Sequence, residues 1–154
     1  MSCEYSDTTH ESCYKRVFVA LDGTAAQIPV LQRAIHLACS NRAELYIGHV
    51  IDSASLETAD TEMRHVIDEK KTSFLTGISQ LLADVEKDEA IAHVETIIKV
   101  GRVRETLKDE MIAVINPDVV VCGARGLSAL QSVFSGSVST FLLRNSGHDV
   151  LVVK

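Results

Sequence analysis

The chain has 154 residues, with 15 Lys and Arg against 21 Asp and Glu for a formal charge of −6. It is long enough to bury one full-sized core and too acidic for nonspecific attachment to DNA or RNA, which is driven by basic side chains neutralising phosphates. No apolar run approaches the roughly 20 residues that span a bilayer, and the polar N-terminus has no hydrophobic signal core, so the sequence reads as a soluble, cytoplasmic protein with no membrane or nucleic-acid partner.

Residues 1–15 carry Ser, Thr, Glu, Asp and His without periodicity and read as a flexible extension, with one domain over 16–154. Arg16–Leu21 is a short, almost continuous apolar run that ends at Asp22-Gly23, the pattern of a strand buried on both faces. Past the turn Asp22–Ala25, Ile28, Leu31, Ile35 and Ala38 recur at helical spacing to about Ser40, and Pro29 is tolerated in the first turn. Glu44–Ile51 is a second strand and Asp52–Leu56 a loop. From Thr61 to about Glu86, Met63, Val66, Ile67, Phe74, Ile78, Leu81 and Val85 predict a long amphipathic helix. His93–Val100 is a third strand, Arg104–Ile115 a helix, and Asn116-Pro117-Asp118 the breaker before a fourth strand that ends at Cys122. A helix over Val138–Arg144 and a last strand, Val150–Val153, complete the chain. Strands alternating with helices predict an α/β fold, a doubly wound parallel sheet of five strands with helices on both faces.

The chemistry concentrates after the fourth strand, where Gly123-Ala-Arg-Gly126 is followed, after nine intervening residues, by Gly136-Ser137. Glycines between a strand and a helix let phosphate oxygens approach the unpaired N–H groups of the helix start, and Ser137 adds a hydroxyl donor. No acidic residue falls between Asp118 and Asp149, whereas Arg125, Arg144 and His148 do. Each of these residues also has a plainer role: the glycines as a turn, Ser135 and Ser137 as helix caps, Asp22 as a cap of the turn it begins. A carboxylate repels phosphates, so a binding Asp22 belongs on nucleoside hydroxyls or beside a metal that the phosphates bring. Cys3, His10 and Cys13 lack the spacing of a structural zinc site, and Cys39 and Cys122 fall in apolar patterns, so no disulfide framework is expected. His49 reads as packed or crevice-lining, and no His/Cys/Asp constellation for nucleophilic catalysis emerges. The chain has no G-x4-G-K-[ST] loop and no lysine between Lys108 and Lys154, so fast phosphoryl transfer is not expected.

The pattern G-x2-G-x9-G-[ST] at Gly123, Gly126, Gly136 and Ser137, together with Val17–Asp22 and the ending Asp149–Val153, resembles the universal stress protein family over residues 16–154. That resemblance implies a sheet in the order 3-2-1-4-5 and, through the glycine motif, the branch of the family that binds ATP. It places Asp22 on the ribose or base side of the nucleotide, with Ala20 and Leu21 beside it, and Val50 with its main chain toward adenine. By the same resemblance Gly123, Gly126, Gly136 and Ser137 surround ribose and phosphates, Arg125, Val138 and Ser139 belong to the same loop and helix start, and Cys122 joins the binding set. The ligand is then ATP, or AMP or ADP, with Mg2+ held mainly by the phosphates, and a homodimer forms through the fifth strand. Two departures stand out: Ala124 where the family often has Ser or Thr, and Gly147-His148 where a proline and a small residue are common. Three readings stay open at this stage: a nucleotide-dependent sensor or regulator of stress responses, a slow ATP hydrolase, and an interaction module that binds no nucleotide.

Overall fold

The computed structural model describes residues 14–56, 60–124 and 138–154. Five parallel strands, β1 (Arg16–Leu21), β2 (Glu44–Asp52), β3 (His93–Gly101), β4 (Val119–Gly123) and β5 (Asp149–Val153), form one sheet in the order β3-β2-β1-β4-β5. The helices are α1 (Gln27–Asn41), α2 (Asp60–Glu86), a composite of α3 (Val103–Glu105), a π-helical stretch Thr106–Ile112 and α4 (Ala113–Ile115), and α5 (Val138–Asn145).

Alternation along the central strands sorts the core into two layers. Val17, Val19, Leu21, Val119 and Val121 face α1 and α2 and pack with Leu31, Ala34, Phe74 and Ile78. Phe18, Val50, Val120 and Cys122 face the opposite side and pack with Leu107, Met111, Ile112 and Leu142. The long helix is fully buried only from its middle onward, at Phe74, Ile78 and Val85, while Met63, Val66 and Ile67 are half-buried.

Two of the helix ends that precede strands, those of α1 and α4, use left-handed residues other than glycine. Arg42 has φ 51° and Asn116 φ 51°, and each turns the chain back while its N–H closes onto a helix carbonyl, Cys39 O at 3.2 Å and Ile112 O at 2.8 Å. At the N-terminal ends of the strands, Asp118 Oδ2 accepts from the N–H groups of Lys15 at 2.7 Å and Arg16 at 2.9 Å, which ties the start of β1 to β4. The Tyr14 hydroxyl donates to Asp149 Oδ2 at 3.2 Å. Gly147, in the left-handed region at φ 69°, admits the chain to β5, where a proline could not adopt that angle. Among the described residues no disulfide forms: Cys122 is buried, and Cys39 is half-buried with its thiol donating to Asp88 Oδ2 at 3.3 Å. No helix of the described residues is long and apolar enough to cross a membrane. Cys3, His10 and Cys13 lie outside the described residues.

Gly48 of β2 is where the second layer comes closest to the sheet. A Cβ there would press into Phe18 Cζ and lie 2.8 Å from Phe18 Cε2 and 3.0 Å from Met111 Sδ. Both partners are buried to within 1% of exposure and have nowhere to move. Gly48→Ala is therefore expected to cost about 1–3 kcal/mol, read as a lowered urea midpoint at unchanged slope; an unchanged midpoint would show that this layer yields.

Candidate functional site: a cleft at the reversal of strand order

From β1 the chain builds outward through β2 to β3 on one side and through β4 to β5 on the other. The strand order therefore reverses between β1 and β4, which places a crevice at the carboxyl ends of these strands. A cleft of about 570 Å³ lies there. Its floor is Ala20 and Leu21 at the end of β1 with Asp22 and Gly23 after it, Val50–Asp52 at the end of β2, and Cys122, Gly123 and Ala124 at the end of β4. One wall comes from the α1/α2 layer with Gln27, Val30, Lys70, Ser73 and Phe74; the other comes from Val103, Arg104, Leu107 and Val138.

The register explains how main chain reaches this space. Pairing of β1 with β2 stops at Leu21 and His49, whereas pairing of β2 with β3 continues to Asp52 and Gly101. Val50–Asp52 thus lose their neighbour on the β1 side, and main-chain groups directed that way face the cleft. The β1–α1 turn is held by side chains: Asp22 Oδ1 accepts from Thr24 N at 2.9 Å and Thr24 Oγ1 at 2.8 Å, and Gln27 Oε1 accepts from Gly23 N at 3.0 Å. Asp22 is therefore a turn cap here, with both bonds on a single oxygen. Gly23 sits at φ 81°, and a Cβ on it would lie 3.1 Å from His49 Cε1, so both backbone angle and space favour glycine.

His49 is the buried polar residue of the floor. Its ring stacks on Phe74 with centroids 4.3 Å apart and planes 6° from parallel, and Nδ1 lies 2.9 Å from Leu21 O. A carbonyl oxygen only accepts, so Nδ1 carries the proton and the neutral ring keeps its lone pair on Nε2. Burial pushes its pKa below the ordinary 6.5, outweighing the upward pull of the Leu21 carbonyl and the Asp22 carboxylate, and Lys70 adds to the lowering. Burial pushes the Cys122 thiol up to about 11, so Cys122 is an uncharged surface of the cleft and not a nucleophile. At the mouth, Asp52 Oδ1 accepts from Ala54 N at 3.0 Å and so starts the short 3-10 turn Ser53–Ser55, where the sequence suggested only a loop. Arg104 lies over the Phe141 ring, 5.9 Å from its centroid.

Of the residues singled out from sequence, Ala20, Leu21, Asp22, Val50, Cys122, Gly123 and Val138 come together in this cleft. Ser139 is buried one residue beyond Val138, behind the lining. Arg125, Gly126, Gly136 and Ser137 lie outside the described residues. Sequence reasoning missed Lys70, Ser73 and Arg104. It sought cations near the glycines along the chain, whereas α2 and α3 deliver them through space. The only trace in the sequence was the helical spacing that puts Lys70 one turn before the core residue Phe74. Among the described residues no group of three His, Cys, Asp or Glu side chains is placed to hold a metal ion.

Comparison with known proteins agrees with this architecture. Residues 13–154 match the model of the universal stress protein family. A putative universal stress protein of Staphylococcus aureus strain USA300 is 31% identical over 144 residues, covering 92% of this chain and 84% of that protein. Among solved structures, universal stress protein UspA from Lactobacillus plantarum superposes with a TM-score of 0.79 at 22% identity, covering 92% of this chain and 98% of that one. A universal stress protein in complex with cAMP superposes with a TM-score of 0.67 at 26% identity, covering 93% and 99%.

The buried imidazole has a consequence for stability. Above pH 6.5 it is neutral both folded and unfolded; as the pH falls below 6.5 the unfolded chain takes up a proton that the folded chain resists, so stability falls toward acid. His49→Gln, whose amide can still donate to the Leu21 carbonyl, removes this component. The difference in urea midpoint between about pH 7.5 and about pH 5 is expected to shrink in the variant; an equal or larger difference would overturn the assignment.

Proposed function

Because the chain belongs to the universal stress protein family, matched over residues 13–154, we propose that its cleft holds an adenine nucleotide and that occupancy, rather than turnover, is its output. The observation that carries this reading is the convergence of Asp22, the edge of β2 left without a β1 partner at Val50–Asp52, and Gly123 with Val138 around one crevice. Each supplies what a different part of a nucleotide needs. A main-chain edge reads the donors and acceptors of a base, a carboxylate at a strand end takes ribose hydroxyls, and a glycine before a helix start leaves room for phosphate oxygens. The cAMP complex of a relative with the same fold supports the ligand class.

In this reading ATP is the main ligand, AMP and ADP share the site, and Mg2+ is carried by the phosphates. Gly126, Gly136, Ser137 and Arg125 complete the phosphate side together with Ala20, Leu21, Cys122 and Ser139 in or behind the lining. A ligand that binds only the folded state stabilises it and shifts the population toward the ligand-competent form, which is how a sensor works without chemistry. The protein would act in the cytoplasm in stress responses. The edge of β5 completes the assembly: among the described residues it pairs with β4 on one side only, and Leu151 is 40% exposed. A second copy pairing there would cover an edge that is otherwise open.

Nucleotide at about 100 times its Kd adds about 2.7 kcal/mol, which should raise the melting temperature by roughly 5–10 °C. No shift with ATP, AMP or cAMP at millimolar concentration would refute the reading. Asp22→Asn keeps an amide oxygen for Thr24 while removing the charge, so the apo protein should melt as before and bind AMP about tenfold more weakly; undiminished affinity would remove Asp22 from the site. Sedimentation should show a dimer that Leu151→Asp converts to a monomer, and a wild-type monomer would refute the β5 assembly.

A further inference from the structure

The cleft straddles both layers of the fold, so its two walls carry different side chains. Gly123 and Val138 account for phosphates at one wall. They do not account for Lys70, which stands on the other. Lys70 precedes Phe74 by one helical turn and lies on the same side of α2. The Phe74 ring stacks on His49 at 4.3 Å, and His49 is bonded to the carbonyl of Leu21, the residue before Asp22. Lys70 lines the cleft on the same wall as Phe74. Its charge is felt at the His49 ring together with that of Asp22. Lys70 takes part in none of the ion pairs among the described residues. Ser73 brings a hydroxyl to the same wall and Ser55 one to the mouth.

In dinucleotide-binding α/β sheets an acid takes the free hydroxyls of the ribose, and a basic side chain nearby accommodates a phosphate when one of them carries it. Here both stand together. Resting on the nucleotide reading above, we infer that the Lys70 wall is a subsite for a phosphate on the 2′ or 3′ oxygen of the ribose. The ligand class is then an adenine nucleotide phosphorylated on the ribose as well as at the 5′ position. A 5′ phosphate chain runs from the ribose toward Gly123 and has no use for a cation on the opposite wall. A ribose phosphate lies on that side, where the flexible lysine stem meets its oxygens and offsets the charge of Asp22. Arg104 on the far wall then serves the 5′ end, so two cations on separate walls match two separate anionic groups.

Isothermal titration of the full chain with AMP, adenosine 3′,5′-bisphosphate and adenosine 2′,5′-bisphosphate tests this. One bisphosphate is expected to bind about tenfold more tightly than AMP, and which one identifies the hydroxyl. Lys70→Gln, an exposed helix position, should erase that gain and leave AMP affinity unchanged, while Lys70→Arg should keep most of it. Equal losses for AMP and bisphosphate would reduce Lys70 to general attraction and overturn the inference. So would bisphosphates that bind no better than AMP while AMP binding still responds to Asp22→Asn, an outcome that leaves the nucleotide reading intact. Failure of all three ligands to bind would overturn both.

Discussion

A strand with apolar side chains on both faces is stable only at the centre of a sheet that is covered on both sides. In β1, Val17, Phe18 and Val19 are all 0% exposed, and they satisfy this constraint by pairing with β2 and β4 at once. Once β1 is central, parallel connections must leave it in opposite directions, and the crevice at its carboxyl end follows as a by-product of burial. The site exists because the first strand cannot be exposed.

The same packing decides what the crevice presents. Gly48 lets Phe18 and Met111 close over β2, and the strand then runs three residues past the end of its pairing with β1. That overrun leaves main chain at Val50–Asp52 without a β1 partner. Asp22 is occupied on one oxygen by its own turn, so its role in the fold and a role toward a ligand are compatible. Against an overall charge of −6, the cleft concentrates a lysine and an arginine on facing walls. With Asp22 and Asp52 in the same lining, the described cleft carries both signs side by side, while the surface as a whole repels polyanions.

Most of the fold was legible because each strand declares itself locally. The apolar run Arg16–Leu21 gave the bounds of β1 without error, and Asn116-Pro117-Asp118 marked the left-handed helix end at Asn116. The 3-10 turn after β2 was not legible, since Asp52 caps it with a bond that leaves no periodicity. Nor was the π-helical winding at Thr106–Ile112, whose buried Leu107, Met111 and Ile112 also fit an α-helical stripe. The site divides in the same way. Asp22 and Gly123 sit at strand ends, which a sequence reveals, and Val50 came only through the family resemblance; Lys70 and Arg104 reach the cleft only through the packing of whole helices. The stack of His49 on Phe74 joins residues 49 and 74 across two layers and has no sequence signature.

Titration of the isotope-labelled protein with AMP, followed through its backbone amide resonances, tests the central claim most directly. Saturable shifts should concentrate at Asp22, Gly23, Val50, Ile51, Gly123 and Val138, while Lys15, Glu44, His93 and Asp118 at the opposite ends of the strands stay still. Shifts centred on those opposite ends, or none at all at excess nucleotide, would contradict it.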